Sequence, residues 1–249
     1  MSYAFKDRNR PPAWGAYRHR ASSRLLMPVY AVEWFLEWAA YVLGRSSIVE
    51  ILEYMGSFSI LFAAIIYFAG ASNRLKQKHY QAWQVIDMAQ GKGGNGGRID
   101  AMQELNSDHV SLIGVDASGA YLQGLRLERA QARRASFASA DLRNADFQGA
   151  NLPDSDFSSA NLREANMRGC HLADSQLDNV DLTGADLSGA DLSGVTLDGA
   201  DLREANLDQV KNWRDIKSLQ GANILQVRNP PAGFEAWAKK NGAVEIKTE

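Results

Sequence analysis

Few residues in this chain are equipped for chemistry, and most of those stand where a spacing rule gives them another task. The histidines are His19, His79, His109 and His171, and no two fall at a metal-ligand spacing. A single cysteine, Cys170, excludes an internal disulfide and a cysteine zinc cluster. Neither Gly-x-Ser-x-Gly nor His-Glu-x-x-His occurs. The glycine run GKGGNGGR (91–98) lacks both the Lys-Ser/Thr ending and the preceding strand of a phosphate-binding loop, so it reads as a flexible linker. These features point away from an enzyme and imply no cofactor and no metal. Two constellations remain. Glu33 and Glu37 lie one helical turn apart and in line with Tyr41, inside an apolar stretch where carboxylates are costly and often functional. Arg143, Arg163 and Arg203 are separated by multiples of twenty residues, with Glu164 and Glu204 beside the last two.

The twenty-residue spacing has a cause. Residues 110–209 repeat every five residues without insertion, and large apolar residues mark the centres, among them Leu122, Phe137, Leu142, Phe147, Phe157, Leu162, Leu182, Leu187 and Leu202. Two positions earlier sits a small or apolar residue, as at Ala140, Ala160, Cys170 and Ala185, and between the two usually comes Asp or Asn. A helix cannot carry this period, because steps of five drift by about 140° around the cylinder. A flat strand cannot either, since an odd period flips alternate centres to the opposite face. The chain must turn a corner in every unit. Four corners close a square coil, so residues twenty apart share a face, and twenty units make about five coils stacked over about 24 Å. Phe137 and Phe157 are then expected to stack, with Leu177 and Leu197 following. Arg143, Arg163, Thr183 and Arg203 form an outward column with Asn144, Glu164 and Glu204. That column is either a docking stripe for an acidic partner or an Arg–Glu ladder that keeps the surface soluble. Cys170 takes an inward position and His171 an outward one, so they share no metal.

The units ADLRN, ADFQG, ANLPD, ANLRE, ADLSG and ADLRE resemble the A-(D/N)-L-x-x motif of the pentapeptide-repeat family over about 100 of the 249 residues. The resemblance implies a β-solenoid, a right-handed quadrilateral β-helix. Some soluble members of that family bind DNA gyrase by imitating duplex charge, and residues 110–209 do carry sixteen Asp/Glu against eight Arg. Against nucleic-acid mimicry, the arginine column interrupts the acidic surface, much of the Asp is motif consensus, and those relatives are not membrane-anchored.

The flanks complete the organisation. Residues 1–24 are a basic tail with six Lys/Arg against one Asp. The first apolar run starts at about Leu25 with no clean cleavage site after it, so no cleavable signal peptide is expected. Residues 25–73 form an apolar helical membrane segment, in which 54–73 carry no charge and have the length to cross a bilayer. Arg74, Lys76 and Lys78 follow at once. Basic flanks at both ends favour a two-helix hairpin with both ends cytoplasmic over one crossing with an interfacial first helix. Residues 74–97 are a polar helix and glycine linker, and 98–109 a helical cap on the first coil. Residues 210–249 hold a helical insertion of about a dozen residues, one extra repeat face centred on Ile224, and a closing helix with Phe234 and Trp237 over the last coil. The expectation is a scaffold at the cytoplasmic side of the cell inner membrane, in contact with membrane lipid and presenting a rigid solenoid to an unidentified protein partner. One alternative is a transport or sensing component using Glu33 and Glu37, which requires a homo-oligomer. The other is the topoisomerase-binding mimic.

Overall fold

A computed structural model of the chain describes residues 10–18, 27–45, 47–88 and 96–247. The helices are α1 (Trp14–Arg18), α2 (Met27–Arg45), α3 (Ser47–Ala69), α4 (Ala71–Met88), α5 (Arg98–Ser107) and α6 (Phe234–Lys240). The chain divides into two compact units, Met1–Arg74 and Leu75–Glu249.

In the second unit the five-residue period builds a square parallel coil. Asp116 pairs with Ser136, Ser136 with Asp156, and so on at a constant separation of twenty. The unit around Leu142 shows why the sequence folds this way. Ala140 N–H donates to Phe137 O at 3.0 Å, Asp141 N–H to Ala120 O at 2.9 Å, Leu142 N–H to Asn161 O at 2.8 Å, and Asn144 N–H to Arg163 O at 3.0 Å. The fifth N–H, that of Arg143, donates to the Asp141 side chain at 3.3 Å. Thr183, Ser188 and Ser193 repeat this bond to Asp181, Asp186 and Asp191, each at 3.0 Å. The motif Asp or Asn is therefore the acceptor that the coil's main chain lacks. Pairing on each side is reduced to single-residue bridges, because a left-handed corner residue such as Asn144 (φ 56) or Gly149 (φ 65) interrupts the extended run. Inside, the centres and the small residues before them are buried, including Leu122, Leu142, Leu162, Leu182, Leu187 and Leu202. Phe137 and Phe157 stack at 5.2 Å between centroids, 17° from parallel, and Phe147 meets both edge-on. Ser155 and Ser175 take the small inward place on one side, and each hydroxyl donates to a carbonyl of the previous coil.

The phase break after Leu207 is smaller than the sequence suggested. Lys211 still pairs with Asp191 at a spacing of twenty, while Ser218 pairs with Thr196 at twenty-two. Two extra residues are absorbed in one corner by a 3-10 turn at Trp213–Asp215. The expected dozen-residue excursion with one further face is instead most of another coil, in which Trp213, Leu219 and Ile224 point inward. Helix α6 closes it: Phe234 is buried, and Phe234 and Trp237 stand 5.7 and 5.4 Å from Trp213. After α6 the chain returns to pair Val244 with Asn223.

At the other end α5 buries Ala101, Met102 and Leu105, as a cap should, and also Arg98. Helix α4 was expected to be a polar stalk beyond a free linker. Its C-terminal half instead buries Ala82 and Ile86 in the solenoid's core. Lys78 Nζ lies 2.7 Å from Glu104, and His79 Nε2 lies 2.8 Å from Asp108. A narrow face of Ala82, Trp83 and Ile86 docks it, and polarity elsewhere on the helix hid that face. Residues 91–95 of the glycine run and the basic tail apart from 10–18 lie outside the described residues.

The first unit is a helical assembly with aromatic packing. Trp14 of α1 meets Trp34 of α2 at 5.7 Å, and Trp34, Trp38 and Tyr41 form a row at 6.4 and 5.8 Å. The Trp34 indole donates to Pro12 O at 3.1 Å, and the Arg10 guanidinium lies 5.5 Å from the Trp38 ring. On α3, Phe58, Ile60, Leu61, Phe62, Ile65, Ile66 and Phe68 are all exposed. Among the described residues no single helix is long and apolar enough to cross a membrane. The stretches Phe58–Ala69 and Ala71–Met88, broken at Gly70, reach that length and composition together.

Candidate interaction surface

Each side of the solenoid presents two outward columns, the bridging residue and the residue after the buried centre. On one side the second column reads Gln123, Arg143, Arg163, Thr183, Arg203. The corner N–H of each coil donates to the next member's carbonyl: Gly124 to Arg143, Asn144 to Arg163, Glu164 to Thr183 and Gly184 to Arg203, at 2.9 to 3.0 Å. The column inferred from the twenty-residue spacing is thus in register.

Its partners differ from the expected ladder. Arg143 grips Asp141 with Nε at 2.8 Å and Nη2 at 2.7 Å. Arg203 holds Asp201 in the same fork, and Arg163 reaches Asp181 at 3.4 Å. Arg143 and Arg203 sit two residues after the motif Asp, so each side chain folds onto the carboxylate already accepting its own N–H, whereas Arg163 follows Asn161 and reaches into the next coil. Glu164 and Glu204 stand instead at left-handed corners, with φ 56 and 57. Electrostatics follow. The Arg143 hydrogen bonds hold the Asp141 carboxyl below the ordinary range, and Asp141 raises Arg143 in return. For Asp201, burial pushes upward but is outweighed by the bonds from Arg203, and the net shift is downward. The stripe is therefore a file of paired guanidinium and carboxylate groups rather than bare positive charge. Such a surface suits a partner that brings hydrogen-bonding groups of both kinds.

Sequence reasoning missed two further pairs, Arg168–Asp186 at 3.1 Å and Arg133–Asp154 at 2.9 Å. An Asp eighteen or twenty-one residues after an Arg is its neighbour in the next coil, so the same register argument could have found both.

Glu33 and Glu37 are exposed on α2, while Tyr41 joins the tryptophan row on an adjacent face. Cys170 points inward and its thiol lies 2.9 Å from Phe147 O; burial pushes it up to about 12, and His171 is outside. Among the described residues no three His, Cys, Asp or Glu side chains are placed to hold a metal ion.

The coil register, the Asp/Asn acceptor and the small-plus-large interior are matched by a family description, that of the pentapeptide repeat region, over residues 130–207. Residues 130–207 are a pentapeptide repeat region. Such regions wind as a right-handed quadrilateral β-helix, in keeping with the four-sided register of this chain. Among solved structures, the chain is similar to the pentapeptide repeat protein Rfr23 from the cyanobacterium Cyanothece 51142, with 31% identity and a TM-score of 0.35. That match covers 36% of this chain and 63% of Rfr23, so less than two thirds of that relative is spanned. HetL from Nostoc sp. strain PCC 7120, involved in heterocyst differentiation regulation, is 29% identical over 46% of this chain and 70% of its own, with a TM-score of 0.26. QnrB1, a plasmid-mediated fluoroquinolone resistance protein, is 15% identical over 53% and 71%, with a TM-score of 0.30. No curated protein sequence matches the chain.

Proposed function

We propose that this protein is a non-enzymatic scaffold: the apolar helical segment 25–73, α3 within it, holds it in a membrane, and the pentapeptide repeat region offers a rigid side to a protein partner at the cytoplasmic face. The observation that carries the tether is the exposure of Phe58, Ile60, Leu61, Phe62, Ile65, Ile66 and Phe68 on α3. At 100° per residue these positions cover about two thirds of the helix circumference, and so wide an apolar surface belongs in a protein core or in lipid. Among the described residues no core covers it. The Gly70 break and the basic residues Arg74 and Lys76 beyond it fit the exit of such a segment on the cytoplasmic side. Docking is assigned to the column of Arg143, Arg163 and Arg203, because the square coil fixes its spacing without moving parts.

Crosslinking in cells followed by purification of the tagged full-length protein tests the docking half. A stoichiometric protein recovered with the native chain, and lost with Arg143→Glu, Arg163→Glu and Arg203→Glu together, supports the reading. Recovery of the same partner with the triple variant removes the column from the account.

A further inference from the structure

The acidic excess of the repeats lies in residues 169–209, and the segment after it, 210–249, carries seven Lys/Arg against four Asp/Glu. Residues 169–209 contain nine Asp/Glu and only Arg203, whereas 110–168 contain seven of each sign. Within that balanced half the arginines gather. Arg126, Arg129, Arg133 and Arg134 fall inside nine residues with only Glu128 among them, and all five are exposed. The coil bends three of them around one side. Arg133 follows the buried Ala132 and also holds Asp154 of the next coil at 2.9 Å, while Arg129 and Arg134 occupy the corners before and after it. Directly over Arg133, one coil earlier, is Ile113, joined through Gly114 N–H to Arg133 O at 2.9 Å. Ile113 is 59% exposed, one of two large apolar residues described as exposed on the coils, the other being Tyr121.

The two corners are informative. Both arginines sit in left-handed backbone, φ 56 and 58, a conformation that glycine supplies at Gly114, Gly119, Gly124 and Gly149 in the same two coils. Local backbone preference therefore does not account for arginine at either place.

We propose that this side of the first two coils, Arg129, Arg133 and Arg134 around Ile113, is a docking surface for the anionic phospholipid headgroups of the membrane in which the protein is tethered. The proposal rests on the membrane reading above. Guanidinium groups pair with phosphate in a two-bond fork, and an exposed aliphatic side chain among them enters the layer between headgroup and acyl chain. Charge complementarity supplies direction. An anionic surface attracts the exposed arginines of the first two coils and repels the acidic coils at 169–209, so the bilayer meets the first coils rather than 169–209. An acidic protein would also meet the arginines, but it gives Ile113 no particular role.

The test uses the full-length protein in vesicles, with an environment-sensitive fluorophore on Ser111→Cys beside Ile113, or on Ser193→Cys on the same side four coils on. Cys170 is buried and its thiol is not available to the label. In vesicles containing phosphatidylglycerol the label at 111 is expected to shift to the blue and to be shielded from an aqueous quencher. It should do neither in pure phosphatidylcholine, and the label at 193 should do neither in either. Arg129→Glu, Arg133→Glu and Arg134→Glu together should abolish the shift, and the corresponding triple lysine variant, which keeps the charge, should retain most of it. Equal signals at 111 in the two vesicles, or a shift that survives charge reversal, overturns the proposal; so does shielding at 111 that appears only when an acidic protein is added. Flotation with phosphatidylcholine vesicles is scored separately: its loss sinks the tether, while the phosphatidylglycerol dependence at 111 still decides the docking surface.

Discussion

At the scale of the residue, the motif Asp is the informative position, because it does two jobs. It accepts the main-chain N–H two residues on, and in several units it also receives a side-chain donor. Asp186 takes the Ser188 N–H and hydroxyl, an Asn206 amide and Arg168. Asp186→Ala should destabilise the protein by about 1–3 kcal/mol in a chemical unfolding curve, and Asp186→Asn, which keeps an acceptor, by clearly less. The pH dependence has a definite sign. Asp141 is held low chiefly by Arg143, and for Asp186 and Asp191 burial pushes upward but their hydrogen bonds win. A carboxyl lowered on folding contributes stability that is complete above its unfolded value, about 3.9, and is lost as pH falls through the folded value. The unfolding midpoint should therefore hold from neutral pH to about 5 and drop below about 4. In the interior, Phe157→Ala removes one member of the stacked pair and should cost about 3–5 kcal/mol, whereas Phe157→Leu copies the residue found at 177 and should cost less. Cys170 gives a probe that needs no engineering. Its raised thiol should resist alkylation in the folded protein and react at the rate of unfolding, as mass spectrometry would show.

At the scale of the element, legibility followed the repeat. The coil, its register, the Phe137–Phe157 stack and the alignment of the arginine column all come from a five-residue period and a four-cornered turn, so nothing beyond spacing was needed. Where the period ends, the reading weakened. From the sequence Trp213 reads as part of an excursion because two extra residues shift every later centre, yet one corner absorbs them. Helix α4 reads as a polar helix because Ala82, Trp83 and Ile86 make a narrow apolar face among Lys76, Lys78, His79 and Asp87. The aromatic packing of α1 on α2 joins residues far apart in sequence with no repeat to relate them. The arginine partners were misjudged for a local reason: Glu164 and Glu204 are adjacent in sequence, but the corner conformation separates roles that the linear order places side by side. The docking of α4 makes a prediction of its own. Ile86→Asp should release that helix from the cap, raising amide exchange in Ala71–Met88 and in α5 while leaving the coils from Ala130 onward protected.

At the scale of the whole molecule, the proposed function joins a helix whose stretch Phe58–Ala69 is apolar and exposed to a solenoid whose sides are fixed by main-chain bonds. In that proposal the first supplies an address and the second a rigid surface. That division rests on α3 being in lipid. The most direct measurement is alkaline carbonate and urea extraction of membranes from cells making the full-length protein, beside an Ile65→Asp, Phe62→Asp variant of α3. The native chain is predicted to stay with the membrane through both washes, and the variant to be released or degraded. A native chain recovered folded and soluble without detergent, indistinguishable from the variant, would contradict the tether and leave the repeat region to be explained as a free scaffold.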